Sequence, residues 1–339
     1  MFLNLLLFFI GFYILIKGAG LLVDGSTSLA QRLKISNFVI GLVIVGIGTS
    51  IPEFAITFIA NIKGEGSIGL GTVIGSNTFN ILAILGISAL FFTLPFRRHW
   101  VSQDLIWNIL AILAVILFLI PFNSDGLSRF EGLTLLVLFA IWLYWVVIKS
   151  NGVNPVRSRA RDEVASPKDR GAATSYGVNP PEHKPLRILV LPLAVLFILA
   201  GLLGVILGGN WVVAGAEIIA RELGMSEALI GLTIVGIGTS LPELAATFVA
   251  AFKSQPGIAV GNIIGSNIFD FLVILGAAAL VKPIVFPPDL LFDITITLAS
   301  AALLYLFMFV GKRNVLKRWQ GLVFIVLYIV YLAYLVRKG

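Results

Sequence analysis

The stretch GTSIPEFAITFIANIKG, Gly48 to Gly64, sets Pro52 beside Glu53 inside a run otherwise apolar enough to lie in lipid. Moved along the chain by 190 residues, it falls on GTSLPELAATFVAAFKS, Gly238 to Ser254, where Pro242 and Glu243 repeat the pair. The match runs without a gap from Gly41–Gly86 onto Gly231–Gly276, and about 27 of the 46 aligned residues are identical. Apolar segments match Leu with Ile by chance. They do not match two Pro-Glu pairs and two Gly-Ser-Asn triplets, so the chain carries an internal repeat.

The repeat lies in a chain of 339 residues that is 58% hydrophobic and 12% charged, with a mean hydropathy of +1.02, far above that of a water-soluble domain. Apolar runs long enough to cross a hydrocarbon core of about 30 Å recur along it. Divided at turn signals and charges, they give ten expected spans, near residues 2–23, 37–61, 68–93, 104–121, 129–148, 187–208, 227–251, 258–281, 290–311 and 319–336. The first run, FLNLLLFFIGFYILI, has no Lys or Arg before it and no small-residue cleavage site after it, and is expected to stay as a span. Five spans fall in each half, so the second copy enters the membrane from the side opposite to the first. The expected fold is therefore an all-α polytopic membrane protein. Its ten transmembrane helices form two inverted five-helix repeats, with discontinuous helices 2, 3, 7 and 8 around an ion site at the midplane.

Residues 1–149 and 187–339 are the two expected repeats, and the hydrophilic, Pro-, Gly- and Ser-rich segment 150–186 reads as a flexible linker. With an external N-terminus, the internal loops carry Arg32, Lys34, Arg97, Arg98, Lys253, Lys312, Arg313, Lys317, Arg318 and the basic linker. The external side is much poorer in Lys and Arg. The positive-inside tendency then places both termini outside and the linker in the cytoplasm of a cell whose inner membrane holds the chain. The net charge of +7 is read as loop charge of this kind, with no nucleic-acid partner. Zero Cys excludes disulfides, thiolate metal sites and Cys nucleophiles.

Pro52 cannot donate to the carbonyl of Gly48, its ring crowds the preceding turn, and Gly46 and Gly48 loosen the backbone; Pro242, Gly236 and Gly238 do the same in the second copy. A helix should break at each place. Broken backbone at membrane depth survives where it lines a cavity or is buried in protein, and the carbonyls of Gly46 and Thr49, with those of Gly236 and Thr239, become candidate cation ligands. Thr49, Ser50 and Glu53 stand within one turn of each other, as do Thr239, Ser240 and Glu243. From the third and eighth spans, GSNTFN brings Ser76 and Asn80, and GSNIFD brings Ser266 and Asp270, each pair four residues apart on one face. Gly71 and Gly75, like Gly261 and Gly265, have the spacing of close helix packing.

An acid at the centre of a bilayer costs on the order of 2.5 to 3.5 kcal/mol, so Glu53, Glu243 and Asp270 are not expected to be idle. The donors are all oxygen, with no His, Cys or Met in the motifs. That set suits Ca²⁺, which takes about six to eight oxygens, better than the soft metals or Mg²⁺. The flanking hydroxyls suit Na⁺.

At these residues the chain resembles the sodium/calcium exchanger family of the cation/calcium antiporter superfamily, of the prokaryotic type, whose repeats look like GTSxPE followed by GSNxFN or GSNxFD. The resemblance implies alternating-access exchange of Na⁺ for Ca²⁺. It implies Ca²⁺ on Glu53 and Glu243 with Asn80 and Asp270 completing the plane, and Na⁺ near Thr49, Ser50, Ser76, Thr239, Ser240 and Ser266. Ca²⁺ and Na⁺ are then transported substrates, no cofactor is expected, and one chain in the lipid bilayer is the expected working unit. Three ionised acids would repel one another, so one is expected to hold a proton, and Asp270 is nominated because Asn80 fills the matching position uncharged. Coupling to H⁺ or K⁺ is the alternative, and a cation channel is a further one. An enzyme is not expected: no zinc-protease motif is present, and His99 and His183 fall in loops.

Overall fold

In the computed structural model, residues 2–119, 126–150, 188–222, 224 and 236–338 are described. The linker 150–186 lies almost wholly outside them, as does the first part of the seventh expected span. The membrane helices are α1 (Phe2–Leu33), α2a (Asn37–Thr49), α2b (Ile51–Lys63), α3 (Gly66–Phe91), α4 (Trp100–Leu119) and α5 (Arg129–Ser150) in the first half. The second half has α6 (Leu191–Glu222), α7a (Gly236–Gly238), α7b (Leu241–Phe252), α8 (Pro256–Val281), α9 (Leu290–Phe307) and α10 (Arg318–Lys338). Among the described residues eight helices are long and apolar enough to cross a membrane, and α2a with α2b makes a ninth crossing. The protein is a multi-pass membrane protein.

Four two-residue strands show how the halves are set. β1 (Leu94–Pro95), which follows α3, pairs antiparallel with β4 (Val315–Leu316), which precedes α10. β2 (Gly126–Leu127), which precedes α5, pairs with β3 (Ile284–Val285), which follows α8. One crossing, α4, separates β1 from β2, so the two pairs lie on opposite sides of the membrane. Helix α3 therefore ends on one side and its repeat partner α8 on the other. The two halves are inverted.

Burial ranks the helices. In their most apolar stretches α3 and α8 are 83% buried, whereas the other full-length crossings reach 17–39%. A helix apolar on every side and wrapped by neighbours is a core element, and one apolar towards lipid stays exposed. The centre is thus α3 and α8 with the broken helices. Gly261 and Gly265 on α8 meet the backbone of Phe38 and Leu42 on α2a, the close packing expected of them. For Gly71 and Gly75 no described atom stands within 4 Å of a Cβ position.

The outer pair α1 and α6 pack along their lengths, close enough at Gly18 and Gly204 that a Cβ on Gly18 would come within 2.7 Å of the Gly204 backbone. Gly208 belongs to the same seam, while Gly20 and Gly209 face Lys253 and Pro242 of the repeat bundle. Asp24 on α1 pairs with Lys253 at 2.7 Å, and the same ammonium donates to the Gly20 carbonyl at 2.9 Å.

The second helix breaks at Ser50, whose φ of −80° and ψ of 7° are not helical, and its two parts meet at 44°. Pro52 sits in the first turn of α2b, where a missing N–H leaves no hydrogen bond unmade. Ser240 (φ −91°, ψ 9°) and Pro242 repeat this at α7b. In the third and eighth helices the interruption takes another form. Without a proline the chain continues, but through π-helical segments at Asn80–Leu85 and Asp270–Ile274, a widening that re-aims side chains and is common at functional sites.

Candidate ion site

Glu53 and Glu243 each stand in the first turn of a helix that begins at mid-span, where the outward-pointing N–H groups favour an anion. Each is 1% exposed. The Ser50 hydroxyl donates to Oε1 of Glu243 at 3.3 Å, and the Ser240 hydroxyl donates to Oε1 of Glu53 at 3.3 Å. The two bonds exchange places under the 190-residue shift. A second reciprocal pair joins α3 to α8: Asn77 Nδ2 donates to Oδ2 of Asp270 at 2.9 Å, and Asn80 Nδ2 donates to Oδ1 of Asn267 at 3.0 Å. Each half thus holds the polar groups of the other.

One oxygen of each group is left over. Glu53 Oε2, Glu243 Oε2, Asn80 Oδ1 and Asp270 Oδ1 are buried without a hydrogen-bond donor. No Lys or Arg among the described residues pairs with these acids. A buried anionic oxygen without hydrogen bond or cation is costly, and these bare oxygens, which come from both halves, are ones a cation would satisfy. Among the described residues, no three His, Cys, Asp or Glu side chains form a metal-sized group. Glu53, Glu243 and Asp270 therefore do not form such a group by themselves, and amide, hydroxyl or carbonyl oxygens would have to complete any donor set.

The hydroxyls are distributed unevenly. On one flank the carbonyl of Gly46 accepts from the Ser266 hydroxyl at 3.1 Å, from the Thr49 hydroxyl at 3.3 Å and from the Ser50 N–H at 3.2 Å. In this conformation it is an engaged acceptor, because the proline frees the carbonyl of Gly48 and not that of Gly46. On the other flank the Ser76 hydroxyl turns back to the Val73 carbonyl at 3.1 Å, and Thr239 Oγ1 is buried with no partner among the described residues. Gly236 opens α7a at the edge of the described residues.

Three asparagines escaped the sequence reading. Asn77 and Asn267 are the third residues of the two Gly-Ser-Asn triplets, and their identity in both copies was the available signal. Asn262 has no such signal, since the first copy carries Thr72 in its place.

These features have counterparts in known proteins. The family model described as sodium/calcium exchanger protein matches residues 3–148 and 193–337, the two halves in turn. The chain belongs to the sodium/calcium exchanger family. Family relatives include an uncharacterised membrane protein of Methanocaldococcus jannaschii, 34% identical over 326 residues and 96% of each chain. Another is the sodium/calcium exchanger MaX1 of Methanosarcina acetivorans, 30% identical over 356 residues and 98% of each chain. The solved sodium-calcium exchanger NCX_Mj superposes with a TM-score of 0.78 at 30% identity, covering 98% of each chain. Exchanger-family proteins are membrane transporters, and the inverted repeat derived above is the family architecture.

Proposed function

We propose that this protein exchanges Na⁺ for Ca²⁺ across the cell membrane by alternating access. The observation that carries the reading is the reciprocal Ser50–Glu243 and Ser240–Glu53 bonding, which leaves a bare buried oxygen on each carboxylate. Ca²⁺ sits between Glu53 and Glu243, with Asn80 and Asp270 contributing oxygens in the same plane. Two ionised glutamates balance the divalent charge, and Asp270 carries a proton. Na⁺ ions use the flanking hydroxyls of Thr49, Ser50, Ser76, Thr239, Ser240 and Ser266, the carbonyl of Gly236 and, once the hydroxyl protons it now accepts turn away, that of Gly46, and they compete for the same glutamates. Exchange follows from that competition, since one charge set cannot hold both loads. The likeness to NCX_Mj and to MaX1 supports sodium and calcium as the pair.

The β1–β4 side of the molecule carries the Lys- and Arg-rich loops, which supports a cytoplasmic linker and external termini. All the proposed ligands come from one chain, which supports a monomeric working unit in which residues 1–149 and 187–339 act as two half-sites.

Radioactive calcium uptake into proteoliposomes under opposed Na⁺, K⁺ and H⁺ gradients tests the assignment. Uptake driven by an outward Na⁺ gradient alone is the expected result. Equal uptake with and without that gradient overturns sodium coupling, and dependence on K⁺ or H⁺ instead names the replacement. Currents far above carrier turnover would mark a channel.

A further inference from the structure

Asn262 lies on α8, one turn before the Gly-Ser-Asn triplet, and is fully buried. Its Nδ2 donates to the main-chain carbonyl of Glu243 at 3.1 Å and to the Thr247 hydroxyl at 2.8 Å, and its Oδ1 accepts from the Thr49 hydroxyl at 3.1 Å. Every polar atom of the side chain is used. The Glu243 carbonyl can only accept, which fixes the amide with its nitrogen towards α7b and its oxygen towards α2a. The Thr49 hydroxyl in turn has three acceptors around it, Asn262 Oδ1, the Gly46 carbonyl and the Glu243 carboxylate, and a cation on that carboxylate turns the proton away from it, towards Asn262 and Gly46. Its lone pairs are left for a cation.

The repeat partner of Asn262 is Thr72, whose hydroxyl is spent on the Ile68 carbonyl one turn back at 2.9 Å. The repeat partner of Thr49 is Thr239, which stands beside Glu53 as Thr49 stands beside Glu243. The acids and the threonines beside them are matched across the pseudo-symmetry, and the side chains at the next position, Asn262 against Thr72, are not.

We propose that Asn262 is a positioning residue that turns the Thr49 oxygen towards Na⁺ in the flank built from Gly46, Thr49 and Ser266, and so makes the two flanking Na⁺ positions unequal. The inference rests on the sodium/calcium reading above. Asn262 touches no transported ion itself; it acts through Thr49.

The test compares wild type with Asn262→Thr, which installs the residue of the first repeat, in proteoliposome exchange titrated separately with Na⁺ and Ca²⁺. The expected result is a half-saturating Na⁺ raised about fivefold, with half-saturating Ca²⁺ within about twofold of wild type. An unchanged Na⁺ requirement, or Na⁺ and Ca²⁺ requirements shifted together, overturns the inference. If Asn262→Thr does not fold, shown by loss of a cooperative melting transition in the absence of Ca²⁺, Asn262→Ser takes its place. That variant must reproduce the Na⁺-selective shift, and its failure to do so also overturns the inference. Wild-type exchange indifferent to Na⁺ would instead refute the sodium/calcium reading, so the two failures are distinguishable.

Discussion

The carboxylates Glu53 and Glu243 are each held by one serine from the opposite repeat, and that exchange of partners sets what single substitutions should do. Glu53→Gln and Glu243→Gln keep the shape but remove a charge that Ca²⁺ needs, and each is expected to lower calcium uptake by more than about tenfold. Asp270→Asn copies what the first repeat already has at Asn80, and should keep a large part of wild-type uptake; loss equal to that of the Glu variants would remove Asp270 from its proton-carrying role. Initial rates of radioactive calcium uptake at saturating ion measure both. The identities of these residues could be read from the repeated motifs. Their pairing could not: nothing in a linear motif says that Ser50 serves Glu243 and not Glu53, three residues away on its own chain segment, because the break turns the hydroxyl across the interface.

The broken helices are where sequence and structure agree on position and differ on form. Pro52 and Pro242 mark the breaks at Ser50 and Ser240, since a proline within an α-helix removes a bond to the residue four back. The π-helical segments at Asn80 and Asp270 carry no such marker, and neither do those at Gly41–Val45 in α2a and Trp100–Asp104 in α4. Restoring the N–H with Pro52→Ala allows a bond to the Gly48 carbonyl and lets α2a run into α2b. The variant is expected to gain melting temperature and lose uptake; unchanged transport would show that the break is dispensable. The pair α1 and α6, joined through glycine, meets the bundle in part through Asp24–Lys253. Both side chains are about a third exposed, so the pair itself contributes less than about 1 kcal/mol. Its location matters more: Asp24→Cys with Lys253→Cys, bridged by a short bis-maleimide in this Cys-free chain, should stop exchange if α1 slides over the bundle. Full transport by the bridged protein would refute that sliding.

At the scale of the whole molecule, the two strand pairs hold opposite faces, and the basic loops gather on the β1–β4 face. Cysteines introduced one at a time at Ser166 in the linker and Ser124 between α4 and α5 should separate cleanly. A membrane-impermeant thiol reagent applied to intact cells is expected to label the Ser124→Cys variant and to spare the Ser166→Cys variant, and the opposite pattern would reverse the orientation. By itself the sequence determined the membrane class, the inverted repeat and the residues proposed as oxygen donors, because hydropathy, the parity of spans and a repeated Pro-Glu pair are local properties that survive in one dimension. Tertiary structure alone decided which hydroxyl meets which acid, that the third and eighth helices bulge at Asn80 and Asp270 where the second and seventh break at serine, and that Asn262 bonds both Thr49 and the Glu243 carbonyl. Those outcomes depend on distances between residues some 190 positions apart, set only when the two halves pack against each other.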